Sequence, residues 1–323
     1  MDERLVSIII PSYNVEKYME ETLQVLSQQT YKNFEVLIAD CSTDKTKEIV
    51  KRWKKKKLMD IKLFDLPKNG VSEARNYAID KAQGKYISFL DADDIYSNCF
   101  LEIMLDNIEP DVAVFSFFTR NMDDCRSVRI EDENVCELTI DETLDILMYR
   151  KPPVNMWCFL YEKDIIDAYG IRFSADIMSG EDGEFMLKYV SHCKSGKLIN
   201  LPLNGYRVNL DSASYLRTDR IVESVTAVER VIDHDRCYAP QMAVRIENYL
   251  LPRVKMSVAT KFCRQRRYNA FVKFIRDCWS EEDYRKININ ANQVVVKVGA
   301  TLLYRFPALY YGLLNLLFVF RPQ

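Results

Sequence analysis

The residues most able to do chemistry are three aspartates that follow a short apolar run. The run ends at Leu90, and Asp91, Asp93 and Asp94 come directly after it. Carboxylates this close together repel one another, so such a cluster persists mainly where a cation or hydrogen-bond donors lie among them. Magnesium and manganese take hard oxygen ligands and use one or two carboxylates together with substrate phosphates. The cluster predicts a divalent-metal site for a diphosphate; the alternative is an acidic loop in which Asp94 caps a helix starting near Ile95.

Two other apolar runs also end in polar residues. Residues 5–10 form an unbroken run that ends at the segment 11–14, and residues 34–39 end at Asp40. Short runs of this kind are typical of central strands in a parallel sheet, which are buried on both faces. An aspartate at the end of such a strand must be solvated, paired or metal-bound, because an unpaired buried carboxylate is costly. The pattern therefore favours a functional role for these positions over a role in the core.

The chain around these motifs alternates between strand and helix patterns. The expected strands are 5–10, 34–39, 61–66 and 86–90, and the expected helices are 16–29, 44–54 and 72–83. This alternation predicts the α/β class, with a mostly parallel, doubly wound sheet sandwiched by helices. Ligands of such sheets bind beyond the carboxyl ends of the strands. We therefore expect Asp40 and the aspartates after residue 90 to meet at one edge of the sheet.

The second half of the chain has a weaker pattern. It predicts a strand at 112–118, a loop or hairpin at 121–137, a helix at 138–149 and predominantly helical structure over 215–285. We divide the chain into a catalytic domain over 1–210, a helical C-terminal region over 211–290 and an apolar tail over 291–323.

The tail has the composition of a membrane-interface segment. Residues 294–320 are the least polar part of the chain, but Lys297, Arg305 and Pro307 interrupt them. The apolar stretch after Pro307 is shorter than the ~20 residues that span a bilayer. Aromatic side chains with flanking arginines suit helices that lie in the interface. We expect contact with the membrane surface, with packing onto the domain or a protein partner as the alternative.

Composition excludes several classes of protein. The net charge of −2 gives no general field for collecting nucleic acid, and the basic residues 54–57 are expected to form the solvated end of a helix. The nine cysteines are scattered, without the spacing of a zinc site or a disulfide framework. Residues 6–10 are too short an apolar run for a signal peptide. We expect a cytoplasmic protein, peripheral at the inner face of the cell membrane.

Several further motifs accompany the aspartate cluster in a fixed order. They are Pro11-Ser12-Tyr13-Asn14, Asp40-Cys41-Ser42-Thr43-Asp44, Asn69-Gly70-Val71-Ser72-Glu73-Ala74-Arg75-Asn76, Asn155-Met156-Trp157-Cys158-Phe159-Leu160-Tyr161 and Ser179-Gly180-Glu181-Asp182-Gly183-Glu184-Phe185. Together they closely resemble the family 2 inverting glycosyltransferases, which have the GT-A fold, over about residues 5–210. The segment 155–161 is similar to one in enzymes that build bacterial surface polysaccharides.

The resemblance implies a role for each matching residue. The donor nucleotide-sugar would be bound by Pro11, Tyr13, Asn14, Asp40, Asn69, Arg75, Asp91 and Ala92. In this set, Pro11, Tyr13 and Asn14 would line the base pocket, and Asp40 would accept from the uracil or its ribose. Asn69 and Arg75 assist base and diphosphate binding, and Asp91 holds the ribose. Asp93 would hold the Mn²⁺ or Mg²⁺ ion that bridges the phosphates.

The acceptor side of the site is implied by two of the motifs. Inversion requires a carboxylate opposite the leaving group, to take the proton of the acceptor hydroxyl. The resemblance implies Asp182 as this base and Glu181 as a group that orients the acceptor or the base. The alternative for Asp182 is a helix N-cap, because residues 180–185 open a helix. Trp157 either stacks on the acceptor sugar or is a buried core residue.

The chain departs from the family pattern in two places. Many relatives carry Asp-Asp-Gly after the second strand, where this chain has Ala39-Asp40-Cys41, and this bears on the turn geometry. Cys158 stands where a lysine is common, and this bears on the identity of the acceptor. His192 and His234 are isolated and are expected to be structural, so no third metal ligand is assigned.

The leading hypothesis is transfer of a sugar from a nucleotide-sugar, expected to be a UDP-sugar, to a glycan or lipid-linked oligosaccharide in surface polysaccharide assembly. A sugar-phosphate nucleotidyltransferase is disfavoured, because those enzymes begin with a glycine-rich phosphate loop and residues 10–20 contain no glycine. A catalytically silent nucleotide-sugar-binding or scaffold protein is the third hypothesis. The presence of both Asp93 and Asp182 argues against it.

Overall fold

The computed structural model describes residues 4–67, 70–132, 134–208, 220–291 and 293–319. The chain divides into two compact units. The first unit comprises Met1–Asp176 with Glu181–Leu216, and the second comprises Ile177–Gly180 with Arg217–Gln323. The three-part division expected from the sequence stays a prediction.

The first unit is built on a large sheet with helices along it. Its strands are β1 (Val6–Ser12), β2 (Phe34–Asp40), β3 (Asp60–Asp65), β4 (Tyr86–Phe89), β5 (Ile95–Tyr96), β6 (Val112–Phe115), β7 (Phe118–Thr119), β8 (Val135–Thr139), β9 (Phe159–Glu162), β10 (Ser195–Ile199) and β11 (Asn204–Gly205). Its helices are α1 (Glu16–Ser27), α2 (Thr46–Lys56), α3 (Val71–Lys81), α4 (Phe100–Asp106), α5 (Met122–Ser127), α6 (Ile140–Tyr149), α7 (Lys163–Ala168) and α8 (Glu181–Val190), with short 3-10 turns at Ile130–Asp132 and Met156–Cys158.

The described residues form one eight-stranded sheet in the order β3-β2-β1-β4-β9-β6-β10-β8 and a small sheet in the order β5-β11-β7. Strands β1 to β4 run parallel to one another, whereas β9 is antiparallel to both β4 and β6, and β8 is antiparallel to β10. All seven residues of β2 are buried, as expected for a strand covered on both faces. The register pairs Ser12 with Asp40 and Asp40 with Asp65, so the carboxyl ends of these strands meet at one edge.

Two local predictions after the aspartate cluster are wrong. Ile95 does not start a helix, because Ile95–Tyr96 forms β5 and pairs with β11, and α4 begins only at Phe100. The Tyr96 ring is fully buried, stacks on Phe100 and donates its hydroxyl to the Phe89 carbonyl. The segment 121–137 is neither loop nor hairpin alone, since it contains α5 and most of β8. At Ile95 the pairing with β11 decides the local structure, and in the segment 121–137 tertiary packing overrides the local polarity.

The second unit is helical among its described residues. Its helices are α9 (Glu223–Tyr238), α10 (Pro240–Arg245), α11 (Leu251–Arg264), α12 (Tyr268–Cys278), α13 (Glu281–Asn290), α14 (Val294–Arg305) and α15 (Pro307–Val319), with a π-helical turn at Ile246–Leu250 between α10 and α11. Buried aromatic residues of α11 and α12 form part of its core, where Phe262 contacts Phe274. None of the described helices is both long enough and apolar enough to cross a membrane.

Candidate active site

Asp40, at the end of β2, is fully buried and bonded to neutral groups. Its Oδ1 accepts hydrogen bonds from the hydroxyls of Ser12 at 2.6 Å and Ser42 at 2.7 Å, and its Oδ2 accepts from the Ser42 backbone N–H at 3.0 Å. The Lys47 ammonium lies 3.9 Å from Oδ2. Asp40 therefore ties the ends of β1 and β2 together, and its contact with a base or ribose stays a prediction.

The segment after β1 is fixed to the segment after β2 by further hydrogen bonds. Asn14 has a left-handed backbone with φ of 52°, and its side-chain oxygen accepts from the Thr43 backbone N–H at 2.9 Å. Asp44 accepts from the backbone N–H groups of Glu16 and Thr46, at the first turns of α1 and α2. These bonds fix the loop that carries Tyr13, which is 44% exposed. Contact of Tyr13 with a nucleotide base stays a prediction.

A cavity of about 220 Å³ opens beside these strand ends. It is lined by Cys41, Leu66, Pro67, Gly70, Glu73, Ala74 and Tyr77. Gly70 has φ of +119°, a conformation that a side chain would strain, and it precedes α3. Cys41 stands where the family pattern has a glycine, and its thiol contacts the Ser12 carbonyl at 3.6 Å. Asn69, predicted to assist base binding, lies outside the described residues.

Three of the predicted site residues meet at Arg75. The Arg75 guanidinium donates from Nη1 to Asp182 Oδ1 at 2.6 Å and from Nη2 to Asp91 Oδ1 at 2.8 Å. Its side chain is only 3% exposed, whereas those of Asp91 and Asp182 are 29% and 27% exposed. Helix α3, the loop after β4 and the first turn of α8 each contribute one residue. The structure therefore brings together side chains that are up to 107 residues apart in sequence.

The electrostatics of this cluster depend on burial. Burial alone would lower the pKa of Arg75, but the carboxylates of Asp182 and Asp91 raise it above its ordinary value. Burial raises the pKa of Asp182; the guanidinium of Arg75 opposes this increase, and Asp91 adds to it. The Arg75 guanidinium also lies 5.1 Å from the Phe173 ring centre. Arg75 thus stays charged and favours the ionised form of Asp182.

The aspartate cluster is held from two sides. Thr22 of α1 donates its hydroxyl to the Ala92 carbonyl at 2.9 Å, and the Asp94 backbone N–H donates to the Asp91 carbonyl at 3.0 Å. Asp94 is buried, and its Oδ1 accepts from the Arg207 backbone N–H at 2.8 Å. Burial raises the pKa of Asp94 well above its ordinary value, and the Asp91 carboxylate adds to the increase. Asp94 therefore shapes the loop and does not cap a helix.

Arg207 is a residue to which the sequence analysis gave no role. Its Nε donates to the Asp93 carbonyl at 3.0 Å, and its Nη2 donates to Glu21 of α1 at 2.7 Å. Its guanidinium lies 5.1 Å from the Tyr18 ring centre. In sequence it directly follows Gly205 and Tyr206, just beyond the end of β11. Arg207 connects β11, the aspartate cluster and α1.

The donor set of the cluster fits a hard cation that is shared with a substrate. Among the described residues, no group of three His, Cys, Asp or Glu side chains is placed to hold a metal by itself. A magnesium or manganese ion bound with phosphates needs only one or two carboxylates. Asp91 bonds to Arg75, and Asp93 is half-buried at the same edge. Binding of a metal ion by Asp93 stays a prediction.

Trp157 lies in a buried aromatic cluster. Its ring is stacked on Tyr206, with centroids 5.8 Å apart, and lies 5.9 Å from the Phe118 ring. Its backbone carbonyl accepts from Asn204 at 2.8 Å. Trp157 is thus buried, which was one of the two alternatives that the sequence left open. Its contact with an acceptor stays a prediction. Cys158 is also buried, and burial raises the pKa of its thiol above the ordinary value.

Glu181 is buried, and His192 and His234 each contact a neighbouring side chain. Glu181 is buried at the first position of α8, so Asp182 lies within the first turn and is not the N-cap residue. The His192 ring stacks on Tyr169 with centroids 3.4 Å apart. His234 bonds through Nδ1 to Asp235 at 2.9 Å. Both histidines have structural contacts.

Known sequences show clear similarity to this chain. EpsJ of Bacillus subtilis, an uncharacterized glycosyltransferase, is 30% identical over 215 residues, which cover 64% of this chain and 62% of EpsJ. GgaB of the same organism, a minor teichoic acid biosynthesis protein, is 26% identical over 299 residues, which cover 86% of this chain and 32% of GgaB. The chain thus spans less than two thirds of the length of these relatives.

Solved structures show the same architecture. TarS residues 1–349 of S. aureus, in complex with UDP-GlcNAc, superpose with a TM-score of 0.65 at 19% identity, covering 96% of this chain and 90% of that chain. The mannosyltransferase PcManGT of Pyrobaculum calidifontis, in complex with GDP-Man and Mn²⁺, gives 0.57 at 16% identity, covering 96% and 86%. The predicted GT-A fold with a helical C-terminal region is confirmed. Because the model of glycosyl transferase family 2 also matches residues 7–170, about half of the chain, the chain belongs to that family.

Proposed function

We propose that this chain is an inverting glycosyltransferase that moves a sugar from a UDP-sugar to a glycan or lipid-linked oligosaccharide. The observation that carries the proposal is the contact of buried Arg75 with both Asp91 and Asp182. This contact joins Asp91, a predicted donor-binding residue, to Asp182, the predicted base, through the Arg75 guanidinium. Family membership supports sugar transfer, and the UDP-GlcNAc complex of TarS supports a uridine nucleotide.

We assign the donor to the edge formed by the ends of β1, β2 and β4. The cavity beside Cys41 and Tyr77 has room for one planar ring and is lined mostly by apolar groups. Asp40, Pro11 and the segment through Asn14 border the same strand ends, as the family roles require. In this proposal the base enters the cavity, and the ribose and diphosphate extend toward Asp91, Ala92 and Asp93.

A divalent cation at Asp93, when bound with the diphosphate, would neutralise charge that develops on the leaving group. Side chains of the protein carry out the proton transfer and orient the base. Asp182 takes the proton of the acceptor hydroxyl, whose oxygen then forms the new bond to the anomeric carbon as the diphosphate leaves from the opposite face. We assign the proton to Oδ2 of Asp182, because Oδ1 already accepts from Arg75. Arg75 favours the ionised form of Asp182 and orients its carboxylate.

Arg207 acts in this proposal as a positioning residue. It bonds to the backbone of Asp93 and, through its own backbone, to Asp94. Its bond to Glu21 anchors the cluster to α1. The carboxylates of the cluster are thereby held at a fixed distance from the strand ends, which a site for a shared cation and diphosphate requires.

We place the acceptor in cell-surface polysaccharide assembly and the chain at the inner face of the cell membrane. Relatives with names from teichoic acid biosynthesis, such as GgaB, support the first part. The apolar tail supports the second. Glu181 and Trp157 would help to orient the acceptor.

The proposal is tested by UDP release from a panel of UDP-sugars in the presence of Mn²⁺. The parent protein, Asp182→Asn and Asp93→Ala are compared, with the exposed Asp164→Asn as the matched control. We expect release by the parent and the control, and loss of it in both site variants. A parent that neither releases UDP nor is raised in melting temperature by any uridine nucleotide would overturn the proposal.

A further inference from the structure

The second unit has an apolar face that its own fold leaves uncovered. Helix α14 exposes three valines and α15 exposes four leucines along one side: Val294, Val295, Val298, Leu309, Leu313, Leu316 and Leu317. The two helices pack against each other, so these side chains belong to neighbouring elements. We call this set the tail face. Clustered apolar side chains on a surface mark a site of contact with a protein or a membrane.

The opposite side of α15 is fixed to the rest of the unit. Tyr310 is buried, and its hydroxyl lies 2.7 Å from the hydroxyl of Thr260 in α11. The Tyr311 ring lies 5.0 Å from Tyr268 and 5.2 Å from Phe271, both in α12. Helix α15 is therefore apolar on both sides, one packed and one exposed. Leu316 and Leu317, further along α15, are 63% and 60% exposed.

The segment that carries the tail face has basic residues and no acidic ones. Residues 294–323 contain Lys297, Arg305 and Arg321 and no Asp or Glu, whereas Arg285 and Lys286 of α13 pair with Glu281 and Glu282 of the same helix. The turn between α11 and α12 adds Arg264, Arg266 and Arg267, of which the first two are exposed. This turn lies beside α15, because Tyr268, the first residue of α12, contacts Tyr311. An apolar face thus borders a basic turn.

We infer that the tail face docks on a bilayer surface that contains anionic phospholipids. Leucines would enter the boundary of the acyl chains, and the basic turn with Lys297 and Arg305 would contact anionic headgroups. A second copy of the chain is a less favoured partner for the tail face, because two tail faces in direct contact would bring like charges together. The inference deepens the membrane location proposed above, but it does not depend on sugar transfer.

The test is flotation of the full chain with vesicles. Phosphatidylcholine vesicles are compared with vesicles that also contain phosphatidylglycerol, at low and high salt. We expect strong binding to the anionic vesicles, weakened by salt, and little binding to the neutral ones. The double variant Leu316→Gln/Leu317→Gln should lower the partition coefficient by about tenfold or more, because two exposed leucines no longer enter the bilayer. Arg264→Gln and Arg266→Gln should each lower it roughly fivefold.

Matched controls lie in the first unit. Leu58→Gln removes a leucine that is 61% exposed, and Lys194→Gln removes an exposed cation, and both should leave vesicle binding unchanged. Light scattering reports the oligomeric state of each protein. Equal binding to both vesicle types, or a dimer that the leucine variants dissociate without any vesicle binding by the parent, would overturn the inference. Binding of uridine nucleotides is measured separately, so failure of the donor site is distinguishable from failure of the tail face.

Discussion

Two carboxylates at the same edge of the sheet are held in opposite ways. Asp40 is fully buried and its oxygens accept from serine hydroxyls and a backbone N–H, with the Lys47 ammonium no closer than 3.9 Å. Asp182 is partly exposed and bonds to the buried guanidinium of Arg75. The neutral donors around Asp40 hold two adjacent strand ends together. The Arg75 cation, shared by Asp91 and Asp182, instead makes the pKa of Asp182 depend on the charges around it.

Removal of the Asp182 carboxylate should have the largest effect. We expect Asp182→Asn to lower kcat by roughly 10²–10⁴-fold, because general-base catalysis contributes about that much. Donor binding, measured by titration with UDP, should stay close to that of the parent. A kcat within threefold of the parent would show that another group takes the proton. The exposed Asp164→Asn serves as the control.

Loss of Arg75 should destabilise the protein in a pH-dependent manner. We expect Arg75→Met to lower the free energy of unfolding by roughly 2 kcal/mol, which is less than the loss for a fully buried pair because both carboxylates are partly exposed. Burial then raises the pKa of Asp182 without opposition. A group whose folded pKa is raised favours folding below its unfolded pKa, and this contribution is lost as pH rises through the folded pKa. The deficit relative to the parent should therefore widen from acid toward neutral pH.

Urea unfolding of Arg75→Met and the parent at several pH values measures this deficit. Arg75→Lys is the matched variant that keeps the charge, and its deficit should depend less on pH. A deficit of Arg75→Met that is constant across the acid range would contradict the electrostatic role of Arg75.

Removal of a neutral partner of Asp40 should have a smaller effect. We expect Ser12→Ala to lower the free energy of unfolding by about 1–2 kcal/mol, because Asp40 keeps both bonds from Ser42. The loss should show little of the acid-to-neutral change expected for Arg75→Met. Ser127→Ala, at an exposed helix end, is the control for thermal and urea unfolding. A loss larger than that of Arg75→Met would reverse the comparison between the two carboxylates.

The smallest effect is expected at Arg207. We expect Arg207→Lys to raise the KM for the donor a few-fold with little change in kcat, because lysine keeps the charge but not the fork that reaches both Asp93 and Glu21. The concentration of Mn²⁺ needed for half-maximal binding of UDP should rise with it, as measured by calorimetry. Arg276→Lys is the control. A fall in kcat with an unchanged KM would assign Arg207 a different role.

The first four strands and the helices between them could be predicted from sequence, because unbroken apolar runs and helical periodicity are local signals. Because the carboxyl ends of parallel strands lie at one edge of a sheet, Asp40 and Asp91 could also be placed together at that edge. The small sheet of β5, β7 and β11 could not be predicted. Its two-residue strands carry no periodicity, and their pairing depends on partners up to 110 residues away in sequence.

The sequence names the residues of the candidate site but not the contacts between them. The motifs named Arg75, Asp91 and Asp182, yet no pattern in sequence shows that one guanidinium bonds both carboxylates. Arg207 was missed for a related reason, since its function depends on a bond to the backbone of Asp93. Trp157 shows a further limit, because its motif does not indicate that the ring packs against Tyr206, as it does in the structure.

The most direct measurement is the titration of the Asp182 carboxyl carbon by NMR on aspartate-labelled protein, with Asp182→Asn identifying the signal. Parent, Arg75→Lys and Arg75→Met are compared. If Arg75 keeps Asp182 ionised, the pKa of Asp182 lies at a higher pH in Arg75→Met than in the parent, and Arg75→Lys stays close to the parent. The same pKa in the parent and in Arg75→Met would contradict the account.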